Sequence, residues 1–229
     1  MPDPITLSLS VLALATSIGT AWLTLIRRGV VRMTQPTVIY FGPDGRGESA
    51  KAPPKVYLRS LLYCTSRRGR IVQSLYVKLR RGETLQTFNI WVLGEEKLAR
   101  GSGLFVGQEG VTCNHHFLLP EDGTSFSFLS GDYRLEVFAT IVGVSRPLLL
   151  GIAHVQVSES IAGALKSPRN GVYFDWGSDS SRYHAHVRSS PKVPALPAPL
   201  LALLATEEDG APDPGQDLVP EGVEGHEKT

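Results

Sequence analysis

Ile5 to Ile26 is an unbroken run of 22 residues without a charge. No other stretch constrains the chain as strongly. Wound as an α-helix it measures about 33 Å at ~1.5 Å per residue, which spans a hydrocarbon core of about 30 Å. A secretory signal peptide is the competing reading, and Ala13-Leu14-Ala15 supplies a small-x-small site. That reading needs basic residues ahead of the apolar run, where only Asp3 stands. Cleavage after Ala15 would also leave Ile18, Trp22, Leu23, Leu25 and Ile26 as an apolar stub. The expectation is therefore an uncleaved transmembrane anchor. Arg27, Arg28 and Arg32 follow it, and no Lys or Arg precedes it. The positive-inside bias then predicts a single-pass protein of the inner (cytoplasmic) membrane, with the N-terminus outside and everything after residue 26 in the cytoplasm. Ala13, Ser17 and Ala21 recur at four-residue intervals, a spacing that lets two helices approach and leaves a homo-oligomer open.

Beyond the anchor the pattern changes from continuous to alternating. Lys55 to Cys64, Ile71 to Arg80, Leu85 to Leu93, Val111 to Leu119, Tyr133 to Val142 and Leu148 to Val157 are β-branched and aromatic runs separated by Gly, Pro, Asp and Ser turns. In the second run Ile71, Leu75, Val77 and Leu79 fall on one phase, with Ser74, Lys78 and Arg80 on the other. That is the period-two signature of a strand with one buried and one wet face. Successive strands without a long helical period predict an all-β antiparallel sandwich or barrel, not βαβ units. Ser158 to Lys166 is the one short helix expected, capped by Ser158 and stopped by Pro168.

The segment Ser130-Gly131-Asp132-Tyr133-Arg134-Leu135-Glu136-Val137 resembles the start of a late strand in immunoglobulin-like and fibronectin-like sandwiches. There a corner Tyr pins the preceding loop through its hydroxyl. Leu135, not a cysteine, stands two residues after Tyr133, and Trp91 lies 27 residues beyond Cys64. The resemblance thus implies an immunoglobulin-like sandwich and implies nothing about a disulfide. On a larger scale the strings Pro36 to Asp44, Gly101 to Gly107 and Tyr173 to Tyr183 resemble those of uncharacterised bacterial single-pass membrane proteins, a likeness that implies no activity.

Two cysteines cannot staple a chain of 229 residues, so the fold must rest on its own core. In a cytoplasmic domain Cys64 and Cys113 are expected as free thiols. After Val187 the chain becomes Pro-rich, with Pro191, Pro194, Pro197 and Pro199, and then acidic. The organisation expected is an anchor with a basic flank over 1–33, a β-sandwich over 34–188, and a disordered tail over 189–229. Leu200, Leu201, Leu203 and Leu204 form a small apolar island within that tail.

Charge is distributed unevenly. Up to residue 205 there are 22 bases against 14 acids; beyond it, eight acids against one base. Residues 27–100 alone hold 15 bases and five acids, with Arg67, Arg68 and Arg70 clustered between two strands. Arg27, Arg28, Arg32, Arg67, Arg68 and Arg70 are the residues expected to face an anionic leaflet. Without a helix-turn-helix, zinc-finger or RNP-type motif, nucleic acid is not the expected target.

Chemistry-bearing residues are few and loosely spaced. Cys113 and His115 share a phase with Val111, Phe117 and Leu119, which reads as core; His184 and His186 oppose Tyr183, Ala185 and Val187. This spacing lacks the close pairs of a zinc site. Asp175 and Asp179 flank Gly177 among serines, without the spacing of a calcium loop. The glycines at 101, 103 and 107 lie between strand-like runs and read as a hairpin loop, not a dinucleotide fingerprint. The expectation is a non-enzymatic binding or scaffolding protein without a cofactor, held by the bilayer and engaging a protein partner. Its rivals are a metal-dependent enzyme using Asp175, Asp179, His115 or His116, and an extracytoplasmic binding domain.

Overall fold

The computed structural model describes residues 3–22, 29–45, 52–94, 99–123 and 125–189. Arg27, Arg28 and the expected tail beyond Ser189 lie outside the described residues. Helix α1 (Pro4–Ala21) starts where the sequence tells it to. Asp3 caps it by accepting a hydrogen bond from the Ile5 amide at 3.3 Å, and Pro4 sits in the first turn, where its missing N–H costs nothing. Ser8, Ser10, Thr16, Ser17 and Thr20 each donate their hydroxyl to the carbonyl four residues back at 2.8–2.9 Å. Those polar groups are thereby satisfied within the helix, as a lipid environment demands. Among the described residues α1 is the one helix long and apolar enough to cross a membrane, a form shared by spans and signal sequences.

The strands are β1 (Val31–Met33), β2 (Val38–Pro43), β3 (Pro54–Cys64), β4 (Arg70–Arg81), β5 (Thr84–Phe88), β6 (Ile90–Leu93), β7 (Ala99–Arg100), β8 (Leu104–Val106), β9 (Val111–Leu118), β10 (Gly131–Ile141), β11 (Leu148–Val157), β12 (Asn170–Gly177) and β13 (Arg182–Ser189). All described pairings are antiparallel. The first sheet runs β13-β12-β2-β3-β9-β6-β7, with β1 also on β3; the second runs β11-β10-β4-β5, with β8 also on β4. The inward phases of both sheets meet in one core. Val56, Leu58 and Leu62 of β3 belong to the same buried cluster as Leu75, Val77 and Leu79 of β4 and Leu135, Val137 and Ala139 of β10. Helix α2 (Glu159–Ala164) carries the chain from the second sheet back to the first. As expected, Ser158 caps it, accepting from the Ile161 amide at 3.3 Å, and Ile161, Ala162 and Leu165 pack against the core.

Three expectations are corrected. Ile71 is 48% exposed instead of buried with Leu75. The register between β10 and β4 shifts after Thr140, which pairs with Ser74, to Ile141, which pairs with Val72. This bulge inverts the phase, turning Val72 inward and Ile71 out. The run Leu85 to Leu93 is two strands that part at Asn89, β5 in the second sheet and β6 in the first. The Gly101–Gly107 segment is not a hairpin: it leaves β7 in the first sheet and enters β8 in the second.

Candidate functional site

Period-two alternation on four neighbouring strands sends Ile39 and Phe41, Val172 and Phe174, Val56 and Leu58, and His115 and Phe117 into the core. The residues between them, Tyr40, Tyr173, Tyr57 and His116, must then point outward. Strand register lines them up. His186 of β13 is opposite Tyr173, Tyr173 opposite Tyr40, Tyr40 opposite Tyr57 and Tyr57 opposite His116. Five rings thus form one row across five strands of the first sheet's outer face. Ring centroids are 5.6 Å apart for His186 and Tyr173, 4.8 Å for Tyr173 and Tyr40, and 4.9 Å for Tyr57 and His116.

The row is fixed by its surroundings. The Tyr40 ring lies over Gly42 and Gly171, where a Cβ would run into it. Its hydroxyl donates to the Pro43 carbonyl at 3.2 Å, and that of Tyr57 donates to Asn114 Oδ1 at 3.0 Å. Cations sit over the rings: Arg188 at 5.2 Å from the Tyr173 centroid, and Lys55 Nζ at 5.9 Å from that of Tyr40. Lys55 is itself held by Asp44 at 2.9 Å. Burial first, then the neighbouring Tyr173 and Asp44, pushes the Tyr40 phenol well above its ordinary range, so it remains a neutral donor. Burial, then the charge of Lys55, lowers the pKa of His116, while a backbone hydrogen bond at Gly94 and the charge of Asp44 oppose that shift. A half-buried row of pre-placed phenols, imidazoles and cations can engage a partner through ring faces and hydroxyls with little further ordering.

His115 lies behind this face. It is 1% exposed, and its Nδ1 accepts from Trp91 Nε1 at 3.3 Å. That assigns the ring proton to Nε2, which is buried with no partner among the described residues, as is Ser60 Oγ on the adjoining strand. Burial, reinforced by His116, lowers the His115 pKa to about 4. Cys113 is on the same strand, and burial raises its thiol, the reverse of what an activated nucleophile needs. Cys64 and Cys113 are both free.

The remaining candidates are not gathered into one centre. Asp175 pairs with His186 Nδ1 at 3.1 Å, whereas Asp179 and His184 are both engaged by the Ser180 hydroxyl, at 3.4 and 3.0 Å. Among the described residues no three His, Cys, Asp or Glu side chains are grouped to hold a metal ion. Arg32 belongs to β1 and is exposed; Arg67 and Arg68 are exposed in the β3–β4 turn. Arg70 does not share their exposure, because it opens β4 and its Nε donates to the Gly29 carbonyl at 3.0 Å. Two further bonds tie this turn to the same place: the Val30 amide to Thr65 Oγ1 at 2.9 Å, and the Thr65 amide to the Val30 carbonyl at 3.1 Å.

Tyr40, Tyr57 and Tyr173 were not singled out by sequence. Their signal is a tyrosine at an outward position on each of three strands, which becomes a site only once register is known. No protein-family model and no curated protein matches the chain.

Proposed function

We propose that the protein is a membrane-anchored, non-enzymatic binding protein whose immunoglobulin-like sandwich engages a protein partner through the tyrosine–imidazole row. The row carries this reading: five aligned rings on an outer face, two of them beneath cations and one kept clear by two glycines. Aromatic and Arg-rich patches are the usual anchors of protein interfaces.

Strand order supports the immunoglobulin-like assignment. With β2, β3, β4, β5, β6, β9, β10 and β11 taken as A, B, C, C′, D, E, F and G, the sheets become A-B-E-D and G-F-C-C′, and β12 and β13 are additions beyond A. The Tyr133 hydroxyl donates to the Leu129 carbonyl at 2.8 Å, the bond of a tyrosine corner. The bilayer is the first partner, through α1. The cytoplasmic orientation is supported by Arg27, Arg28 and Arg32 on one flank and by two free thiols. Arg67 and Arg68 lie in the turn bonded to residues 29 and 30, where the chain arrives from the anchor. Held there, they add roughly 1 kcal/mol each of attraction to an anionic leaflet.

The test is purification of the tagged full chain from native membranes, with Tyr57→Ser and Tyr173→Ser in one variant and Tyr76→Ser and Phe138→Ser in another. A co-purifying protein lost only with the first pair is expected. Equal recovery from both variants, or nothing enriched over α1 alone, would overturn the reading.

A further inference from the structure

The two sheets do not end together. On one side the first sheet continues past β2 into β12 and β13, while the second stops at β11. Helix α2 fills part of the space beneath this overhang. The rest is a groove of about 690 Å³ whose lining includes Ala153 and Val155, the inward phase of β11, and Trp176, Tyr183 and Ala185 of the first sheet. Among the described strands β11 pairs with β10 alone, and although β1 and β13 come near it they do not pair with it, so every second backbone N–H and C=O along it is turned away from β10 on the groove side.

The other sheet ends are protected as edges usually are. β13 carries Arg182 and Arg188, β5 has five residues, and β7 has two. β11 has ten residues, no Pro, Lys, Arg, Asp or Glu, and an unbroken register from Gly151 to Val157. We infer that this edge accepts one extended strand from a protein partner, with apolar side chains at alternate positions and a carboxylate meeting Arg182. This site is separate from the tyrosine row.

Charge selects the carboxylate: Arg182 lines the groove, and among the described lining residues there is no Asp or Glu. Geometry selects a lone strand over a second copy. Pairing β11 with its own copy about a two-fold axis normal to the sheet would bring both overhanging hairpins to the same side, over the same two strands. The backbone ladder would supply affinity, and the alternate contacts with Trp176, Tyr183 and Ala185 would supply selectivity.

The probe is a blocked nine-residue peptide alternating Val with Thr and Glu, added to the full chain in detergent micelles and read by amide hydrogen exchange. Exchange within 151–157 is expected to slow at least tenfold, with β5 and β13 unchanged. N-methylation of the peptide amides along one edge should abolish the effect. Arg182→Glu should weaken the peptide about tenfold and favour a version with Lys in place of Glu. Unchanged exchange at β11, equal protection by the N-methylated peptide, or a concentration-dependent dimer cross-linked through β11 would each overturn the proposal.

Discussion

The outer faces of the two sheets arise from the same alternation and finish as different surfaces. On the second sheet, β4 and β10 place Lys78 opposite Glu136, Arg80 opposite Arg134 and Ser74 opposite Thr140. Arg134 is also 2.9 Å from Glu136. Its aromatic residues include one stacked pair, Tyr76 and Phe138, 5.1 Å apart with Lys78 over the Phe138 ring at 5.2 Å, and Phe105, which stands apart from them opposite Ile71. That is a solvated face with charges paired locally. On the first sheet the rings line up in register across five strands, in contact from His186 through Tyr173 to Tyr40 and again from Tyr57 to His116, and the glycines beside them leave room for the Tyr40 ring. Pointing outward therefore does not by itself make a continuous row. Alignment across strands does.

The largest expected difference between the sheets is their response to acid. His115 is buried as a neutral ring with its pKa lowered to about 4 from 6.5. The unfolded chain takes up the proton near pH 6.5, so the stabilisation is complete above that pH and is lost as pH falls towards 4. The span corresponds to about 3 kcal/mol. His116, lowered as well, acts in the same direction. Urea midpoints at pH 7 and pH 4.5 should differ accordingly, and His115→Leu should remove most of that difference. A slope unaffected by the substitution would move the acid sensitivity out of the first sheet.

Next comes a pair of glycines. A methyl group at Gly171 meets the Tyr40 ring, whereas at Gly151 it meets only the mobile end of Met33. Gly171→Ala is expected to cost about 1–3 kcal/mol and Gly151→Ala less than about 1 kcal/mol in thermal melts. Equal losses would mean that the Tyr40 ring can move aside freely. Within the second sheet, Tyr133→Phe removes the bond to Leu129 and should cost about 1 kcal/mol. An unchanged midpoint would show that the corner is held by packing alone. The smallest effects should be alike on both faces. Asp175→Asn changes the exposed contact with His186 and Glu136→Gln breaks the ion pair with exposed Arg134, and each should shift stability by less than about 0.5 kcal/mol. A loss above about 1 kcal/mol for Asp175→Asn would mean that the row is positioned by charge as well as by rings.

Much of the fold was legible where one phase is buried and the other is wet. Leu148 to Val157 was expected and found, as was the Ser158 cap, because pattern and turn chemistry agree there. The parting of β5 and β6 was not, since Phe88 and Trp91 are both core residues and Asn89 between them carries no Gly or Pro signal. β13 was legible as an alternation of His184 and His186 against Tyr183, Ala185 and Val187 but without strand bounds, because nearly all its side chains are exposed, leaving little contrast between phases. Ile71 shows the limit of phase counting: one bulge reverses it. For the site, sequence placed His115 inward with Phe117 and separated His184 and His186 from Tyr183. It could not align Tyr40 with Tyr57 and Tyr173, because alignment depends on strand pairing between distant segments.

That distance has a consequence in time. β2 meets its second neighbour only when Val172 reaches Phe41, ~130 residues after β2 has been made, or roughly ten seconds or more at typical rates of synthesis. Throughout that interval one side of β2 lacks the neighbour it will have in the finished protein. The second sheet, whose final strand ends at Val157, has all its segments first. The nascent chain therefore holds every part of its charged face before it holds any complete version of the aromatic one.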